Sequence, residues 1–216
     1  MDKTFDKFDG LESGAEQPAF DPERRAIIVA ATSAAGGAAL AAASIPFIAS
    51  MNPSERARAA GAPLTVDFSQ LAPGTQTTVE WRGKPVWILH RTDAMLQTLR
   101  DPRHLAKLAD PASDVKSQQP AYAQNANRSL KPEHLVVVSL CTHLGCIPTF
   151  RPGVSDKDLG TDWDGGYFCP CHGSKFDLAG RVYRNVPAPT NLVIPPHHYV
   201  NATTVTIGED PGGSKA

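Results

Sequence analysis

The stretch "CTHLGC", Cys141 to Cys146, is answered further along by "CPCHGS", Cys169 to Ser174, and the two together hold all four cysteines and two of the seven histidines of the chain. Cys141 and His143 are spaced C-x-H, Cys169 and His172 are spaced C-x-x-H, and Cys146 and Cys171 are left over. Three readings compete. Two disulfides would use every cysteine and ignore the imidazoles; a zinc ion would take any four of the six groups; an iron-sulfur cluster with two sulfur ligands on one iron and two imidazoles on the other would take four and leave two thiols to pair. Only the third employs all six. Each loop offers one thiolate, one imidazole and one spare cysteine, so two short turns facing each other can clamp a flat diamond of two irons and two sulfides. Gly145 and Gly173 stand where such turns bring backbone amides close to sulfur.

The segments that deliver the chain to these loops read as strands. "EHLVVVSL", 133–140, is an apolar β-type run ending at Cys141, and "GGYF", 165–168, runs into Cys169. Upstream, "PLTVDF", "QTTVEWRG" and "KPVWILHRT" are short, rich in Val, Thr, Trp and Ile, and separated by turn-forming residues; "ATTVTIG" supplies a closing strand. Thr92 caps a short helix through Leu99, and another lies around His104 to Leu108. Nineteen prolines and seventeen glycines fit many turns between short strands rather than a helical bundle. The expected fold is therefore mainly β, over residues 64–216.

The N-terminal quarter is of another kind. Residues 1–25 are polar, mostly acidic, and lack apolar periodicity, so they read as a tail. Ala26 to Met51 contains no charged residue. As a helix that run would be about 39 Å long, enough to cross a hydrocarbon core of about 30 Å with some tilt. It is too long for the apolar core of a cleaved signal, although "AAAS" and "IAS" offer small residues of the kind signal peptidase accepts. Ser33, Gly37 and Ala41 form a small-residue face on which another membrane helix could approach. Arg24 and Arg25 precede the run and Arg56 and Arg58 follow it, so charge alone leaves orientation balanced. A twin-arginine pair ahead of an apolar run, as a mark of export of a folded domain, places the tail inside and the large domain outside. Residues 52–63 are small and charged, and read as a flexible tether reaching at most about 40 Å, with a helical extension as the other possibility. With 21 basic against 22 acidic side chains there is no basic excess for nucleic acid.

The two boxes, the preceding anchor and tether, "VEWRGKPVWILHRT" and "VPAPTNL" closely resemble the Rieske iron-sulfur proteins of bacterial ubiquinol-cytochrome c reductases, from Arg24 onward. The resemblance implies a small antiparallel domain of stacked sheets with a 2Fe-2S cluster at its tip. It implies that Cys141 and Cys169 hold one iron, that His143 and His172 hold the other, and that Cys146 is bridged to Cys171 in a disulfide. It implies a hydroxyl at Ser174 that donates to sulfur, and a proline loop, Pro187, Ala188 and Pro189, covering the cluster on a third side. Two departures stand out: Phe176 occupies a position where quinol-oxidising relatives commonly have a sulfur-bonding tyrosine, and Val186 stands where glycine is expected.

The implied activity is that of one subunit of an oxidoreductase, taking an electron with a proton from ubiquinol and passing it to a c-type cytochrome, while cytochrome b receives the second electron. The implied setting is a dimeric complex in the inner membrane, this chain crossing once and its cluster domain periplasmic. His172 is expected to meet the quinol hydroxyl, with His143 also exposed. Two irons, two sulfides and two thiolates sum to zero when oxidised, against minus two with four thiolates, so an added electron is less opposed. Rieske centres as a class accordingly span about -150 to +300 mV against about -400 mV for plant-type ferredoxins.

Other residues take plainer roles: His90, His104, His134, His197 and His198 as surface or turn residues, Trp81 and Trp87 as core. Soluble Rieske ferredoxins and oxygenase domains share the ligands but generally lack the extra cysteines and the anchor. The small subunit of an arsenite oxidase and a structural zinc module are the remaining alternatives.

Overall fold

A computed structural model describes residues 21–55, 57 and 61–212, and the chain divides into two compact units after Pro53. The first is built on helix α1, Pro22–Ser50. Its start precedes the uncharged run expected from Ala26, because Asp21 accepts hydrogen bonds from the Glu23 and Arg24 amides and Pro22 follows at the first helical position. Arg24 and Arg25 therefore belong to the helix and not to a tail. No side chain of α1 is buried within the chain, and α1 is the one helix among the described residues long and apolar enough to cross a membrane. Three of its hydroxyls are satisfied within the helix: Thr32, Ser44 and Ser50 donate to the carbonyls of Ile28, Leu40 and Phe47. Of the expected tether, Glu55 and Ala57 are helical, and the Ala57 amide donates to Ser54 Oγ at 3.2 Å. Arg56 and residues 58–60 lie outside the described residues.

The second unit holds three antiparallel sheets of three strands each. The base sheet is β1 (Leu64–Asp67), β9 (Thr204–Ile207) and β8 (His197–Tyr199) in that order; the central sheet is β2 (Gln76–Trp81), β3 (Lys84–His90) and β4 (His134–Val138); the third is β5 (Thr149–Arg151), β6 (Gly166–Phe168) and β7 (Lys175–Phe176). Strand periodicity shows why the middle of β3 and all of β4 are covered on both faces. Val86, Ile88, Val136 and Val138 pack with Val205 and Ile207 of the base sheet, whereas Trp87, Leu89, Leu135 and Val137 pack with Tyr167, Phe176, Cys141 and Cys169. Every residue of β4 is consequently buried, which explains its unbroken apolar run. Between β3 and β4 lie α2 (Asp93–Thr98), capped by Thr92 accepting from the Met95 amide, and α3 (Pro102–Leu105), capped by Asp101. Strands β5, β7 and β8 have no counterpart in the sequence reading; they are two or three residues long, too short to show alternation.

Three histidines expected at the surface are buried. His104 is 2% exposed, because its two ring nitrogens face carboxylates from different segments: Nδ1 lies 2.9 Å from Asp164 Oδ2 and Nε2 lies 3.1 Å from Asp177 Oδ2. His134 pairs with His90 across β4 and β3 and packs on Phe68 at 4.8 Å between ring centroids. His197 is enclosed with its Nδ1 at 2.8 Å from the Pro195 carbonyl and its amide donating to the Tyr122 hydroxyl. His90 and His198 remain partly exposed. Arg91, Arg128 and Arg181 are also buried, and their guanidinium groups donate to backbone carbonyls of the loops they hold, notably Leu178, Ala179, Gly180 and Leu99.

Candidate metal centre

The β4 strand ends three residues before Cys141, and the loop that follows leads to β5; β6 runs directly into Cys169, and the chain returns from that loop as β7. The two loops share one backbone frame. In the first, the Cys141 amide donates to the Cys146 carbonyl at 2.8 Å and the Gly145 amide to the Cys141 carbonyl at 2.9 Å. In the second, the Cys169 amide donates to the Ser174 carbonyl at 2.8 Å and the Gly173 amide to the Cys169 carbonyl at 2.9 Å. Gly145 and Gly173 sit at φ of 81° and 80°, a left-handed conformation in which any side chain would be strained. The repeated frame puts Cys141 and Cys169 at equivalent positions, and likewise Gly145 and Gly173.

Cys146 and Cys171 form a disulfide between the loops. Cys141 and Cys169 are free thiols, both buried in the same core cluster. His143 and His172 stand side by side, ring centroids 4.7 Å apart and planes at 90°, the first half-buried and the second exposed. Burial pushes the Cys169 thiol up and the Cys141 thiol adds to this, against the Cys171 and His172 amides that donate to its sulfur. The sulfurs of Cys146, Cys169 and Cys171 also lie within 4.8 Å of one another, but two of the three are spent on the disulfide and do not make a metal triad. What remains is two adjacent sulfur donors inside and two adjacent nitrogen donors at the rim. The two-disulfide reading is excluded by the free pair.

A third segment closes the site. Asn185 takes the left-handed conformation at φ 58°, a position its side chain tolerates, and so the turn does not need glycine at Val186, which instead packs inward. Pro187 and Pro189 are exposed and Ala188 is buried between them. The Ala188 amide donates to Ser174 Oγ at 3.0 Å, and Thr142 Oγ1 donates to the Thr190 carbonyl at 2.7 Å. Each of the three segments is thereby fastened to the other two. Thr142, Asn185 and Thr190 escaped the sequence reading; Asn ahead of Val-Pro was the available turn signal. Because Ser174 Oγ accepts from Ala188, its own proton is free to be donated elsewhere. Phe176 is fully buried and lies opposite Tyr167, whose ring stacks on Trp87 at 4.7 Å.

Residues 64–196 match the family model described as "Rieske [2Fe-2S] domain". The chain belongs to the Rieske [2Fe-2S] family. Residues 15–54 match a second model, described as "Ubiquitinol-cytochrome C reductase Fe-S subunit TAT signal". A ubiquinol-cytochrome c reductase iron-sulfur subunit of Allochromatium vinosum is 60% identical over 174 residues, covering 80% of this chain and 82% of that protein. The subunit of the same description from Blastochloris viridis is 44% identical over 169 residues (78% and 83% of the two chains), and that from Rhodospirillum rubrum is 42% identical over 199 residues (91% and 98%). The cofactor of this Rieske domain is a 2Fe-2S cluster, and the donors on the page suit it: paired soft sulfurs and paired imidazoles, in place of the single tetrahedral set zinc requires. Helix α1 and the N-terminal match are those of a membrane-anchored Rieske subunit.

Proposed function

We propose that this chain is the electron-carrying subunit of a ubiquinol-cytochrome c reductase, with Cys141 and Cys169 on one iron, His143 and His172 on the other, and Ser174 donating toward sulfur. The segregation of two buried thiols from two neighbouring rim imidazoles carries the reading, supported by relatives of that description. Bound there, the 2Fe-2S group supplies a reversible one-electron site. The chain's own residues do the rest. The sulfurs of Cys141 and Cys169 belong to buried residues and are shielded from water. The exposed His172 ring presents a nitrogen where a quinol hydroxyl can deliver its proton, and His143 beside it offers a second. Helix α1 holds the subunit in the inner membrane with residues 64–216 on the periplasmic side, and the 52–63 connection lets the domain serve cytochrome b and a c-type cytochrome in turn, within a dimeric complex.

A redox titration of the full-length protein, followed by electron paramagnetic resonance and repeated from pH 6 to pH 10, tests this. The midpoint is expected to be flat at low pH and then to fall by about 59 mV per pH unit once an imidazole must lose its proton, as a one-electron couple requires. A reduced protein without a paramagnetic signal, or a midpoint flat across the range, rejects the proposal.

A further inference from the structure

The sulfurs of Cys146, Cys169 and Cys171 lie within 4.8 Å of one another, two of them joined in the disulfide and the third a free thiol. A thiol is thus held beside a disulfide. Exchange between the two needs the attacking sulfur to reach one sulfur of the bond, and a near-attack contact of about 3–3.5 Å is at most about 1–2 Å of movement away. Cys141, the other free thiol, is not part of this group.

The sequence selects which sulfur is attacked. Attack on Cys171 would link Cys169 to Cys171 across Pro170 alone, whose ring fixes φ at about −65° and leaves the two residues little freedom to adopt disulfide geometry. Attack on Cys146 meets no such limit, because Cys146 and Cys169 lie on different loops. It also expels the sulfur that can leave more readily. Cys171 is exposed, so water receives its thiolate, whereas Cys146 is half-buried.

We propose that Cys169, once released from iron, exchanges into the disulfide and frees Cys171. The Cys169 thiolate attacks Cys146 Sγ, the Cys146–Cys171 bond breaks, and Cys171 departs as a thiolate that takes up a proton. One disulfide and two thiols stand on each side of the step, so no oxidant or reductant enters. The free thiol moves from a residue 2% exposed to an exposed one, and Cys169 is no longer available to iron. Loss of the cluster thereby becomes hard to reverse. While Cys169 is committed to iron it cannot attack, so occupancy of the site protects the bond that joins its two loops; this protection rests on Cys169 being an iron ligand, as proposed above, and the exchange itself does not.

To test this, the full-length, cluster-loaded protein in detergent is stripped of iron with a chelator under argon, freed of released sulfide by gel filtration, and held for a day at pH 8 beside an unstripped sample. Both are then treated with N-ethylmaleimide without unfolding, and their disulfides are mapped by mass spectrometry of unreduced peptides. The stripped protein should gain a Cys146–Cys169 linkage and about tenfold or more maleimide on Cys171, while the loaded protein keeps Cys146–Cys171. Cys141→Ser and Cys169→Ser, each short of one proposed iron ligand, should differ: the first rearranges and the second keeps Cys146–Cys171. Loss of fold would affect both alike. Persistence of Cys146–Cys171 alone in the stripped protein, rearrangement in Cys169→Ser, or linkages to Cys141 as abundant as that to Cys169 overturns the exchange. Rearrangement at one rate in loaded and stripped protein overturns instead the protection, and with it the assignment of Cys169 to iron.

Discussion

Replacing His104 by Gln should cost the domain a large part of its stability, and should do so in a pH-dependent way. Both ring nitrogens of His104 lie within hydrogen-bonding distance of carboxylates, and both can donate only in the imidazolium form. Burial alone would depress its pKa; the Asp177 and Asp164 contacts outweigh that and raise it above 6.5. Asp177, with no exposure, is held far below the usual carboxylate range: burial pushes it up, but Arg181, His104 and the Arg181 amide prevail. Gln can restore at most one contact and no charge. One charge-assisted bond to a buried acid is worth about 1.5 to 3 kcal/mol, and stripping a partner from a buried ion pair costs about 3 to 5 kcal/mol. Asp164 is partly solvated and Arg181 still serves Asp177, so the lower end applies, about 3 kcal/mol. For a domain of roughly 150 residues that corresponds to a fall of about 6–12 °C in melting temperature. Since the folded pKa lies above the unfolded one, the histidine's contribution is complete below pH 6.5 and is lost as pH rises through the folded value. Thermal melts followed by circular dichroism should therefore show a wide gap between parent and variant at pH 6 that narrows toward pH 10. A gap under about 2 °C at pH 6, or one constant across that range, would refute the assignment of a buried imidazolium.

Replacing Cys146 and Cys171 together by Ser should leave the type of paramagnetic spectrum unchanged while the cluster is lost faster and its midpoint falls, because the pair ties loops and ligates nothing; a changed spectral type would contradict the ligand set. Ser174→Ala should lower the midpoint, and Phe176→Tyr should raise it by several tens of mV if the new hydroxyl reaches sulfur, since 59 mV is a tenfold change for one electron. An unmoved midpoint in Phe176→Tyr would mean the ring edge points away from the thiolates. Burial lowers the pKa of His134 from 6.5 to about 4, so its neutral form is built into the fold. With the folded value below the unfolded one, stability is complete above pH 6.5 and up to about 3 kcal/mol is lost as pH falls toward 4. His134→Leu should blunt that acid limb in melts at pH 4 to 6.5, and an identical limb would rule the histidine out as its source.

The donors of the site were legible because their chemistry is carried by residue types that do little else: four cysteines in two boxes, each with a histidine and a glycine. The longer strands were legible from composition, as β3 and β4 show. The buried role of His104 was not. It depends on Asp164 and Asp177, 60 and 73 residues away, and no local pattern joins them. The same holds for Arg128, whose guanidinium meets the carbonyls of Ala179, Gly180 and Leu192 only after β4 and the 177–181 turn have packed. Val186 illustrates the converse. The resemblance implied glycine there, but the unusual backbone angle falls one residue earlier, on Asn185.

The disulfide, the Ser174–Ala188 bond and the Thr142–Thr190 bond form a closed triangle of braces around the metal centre. A triangle is the smallest framework that cannot shear without stretching a side, so none of the three segments can drift relative to the others while all three ties hold. For electron transfer this has a kinetic meaning. Part of the activation barrier is the work of rearranging the surroundings when charge arrives or leaves, and ties that hold the surrounding dipoles in place beforehand reduce that work. The braces thus bear on speed as much as on survival. Loosening the Thr142 tie, far weaker than the covalent one, is the place to look for a protein that keeps its cluster and its potential yet passes electrons more slowly.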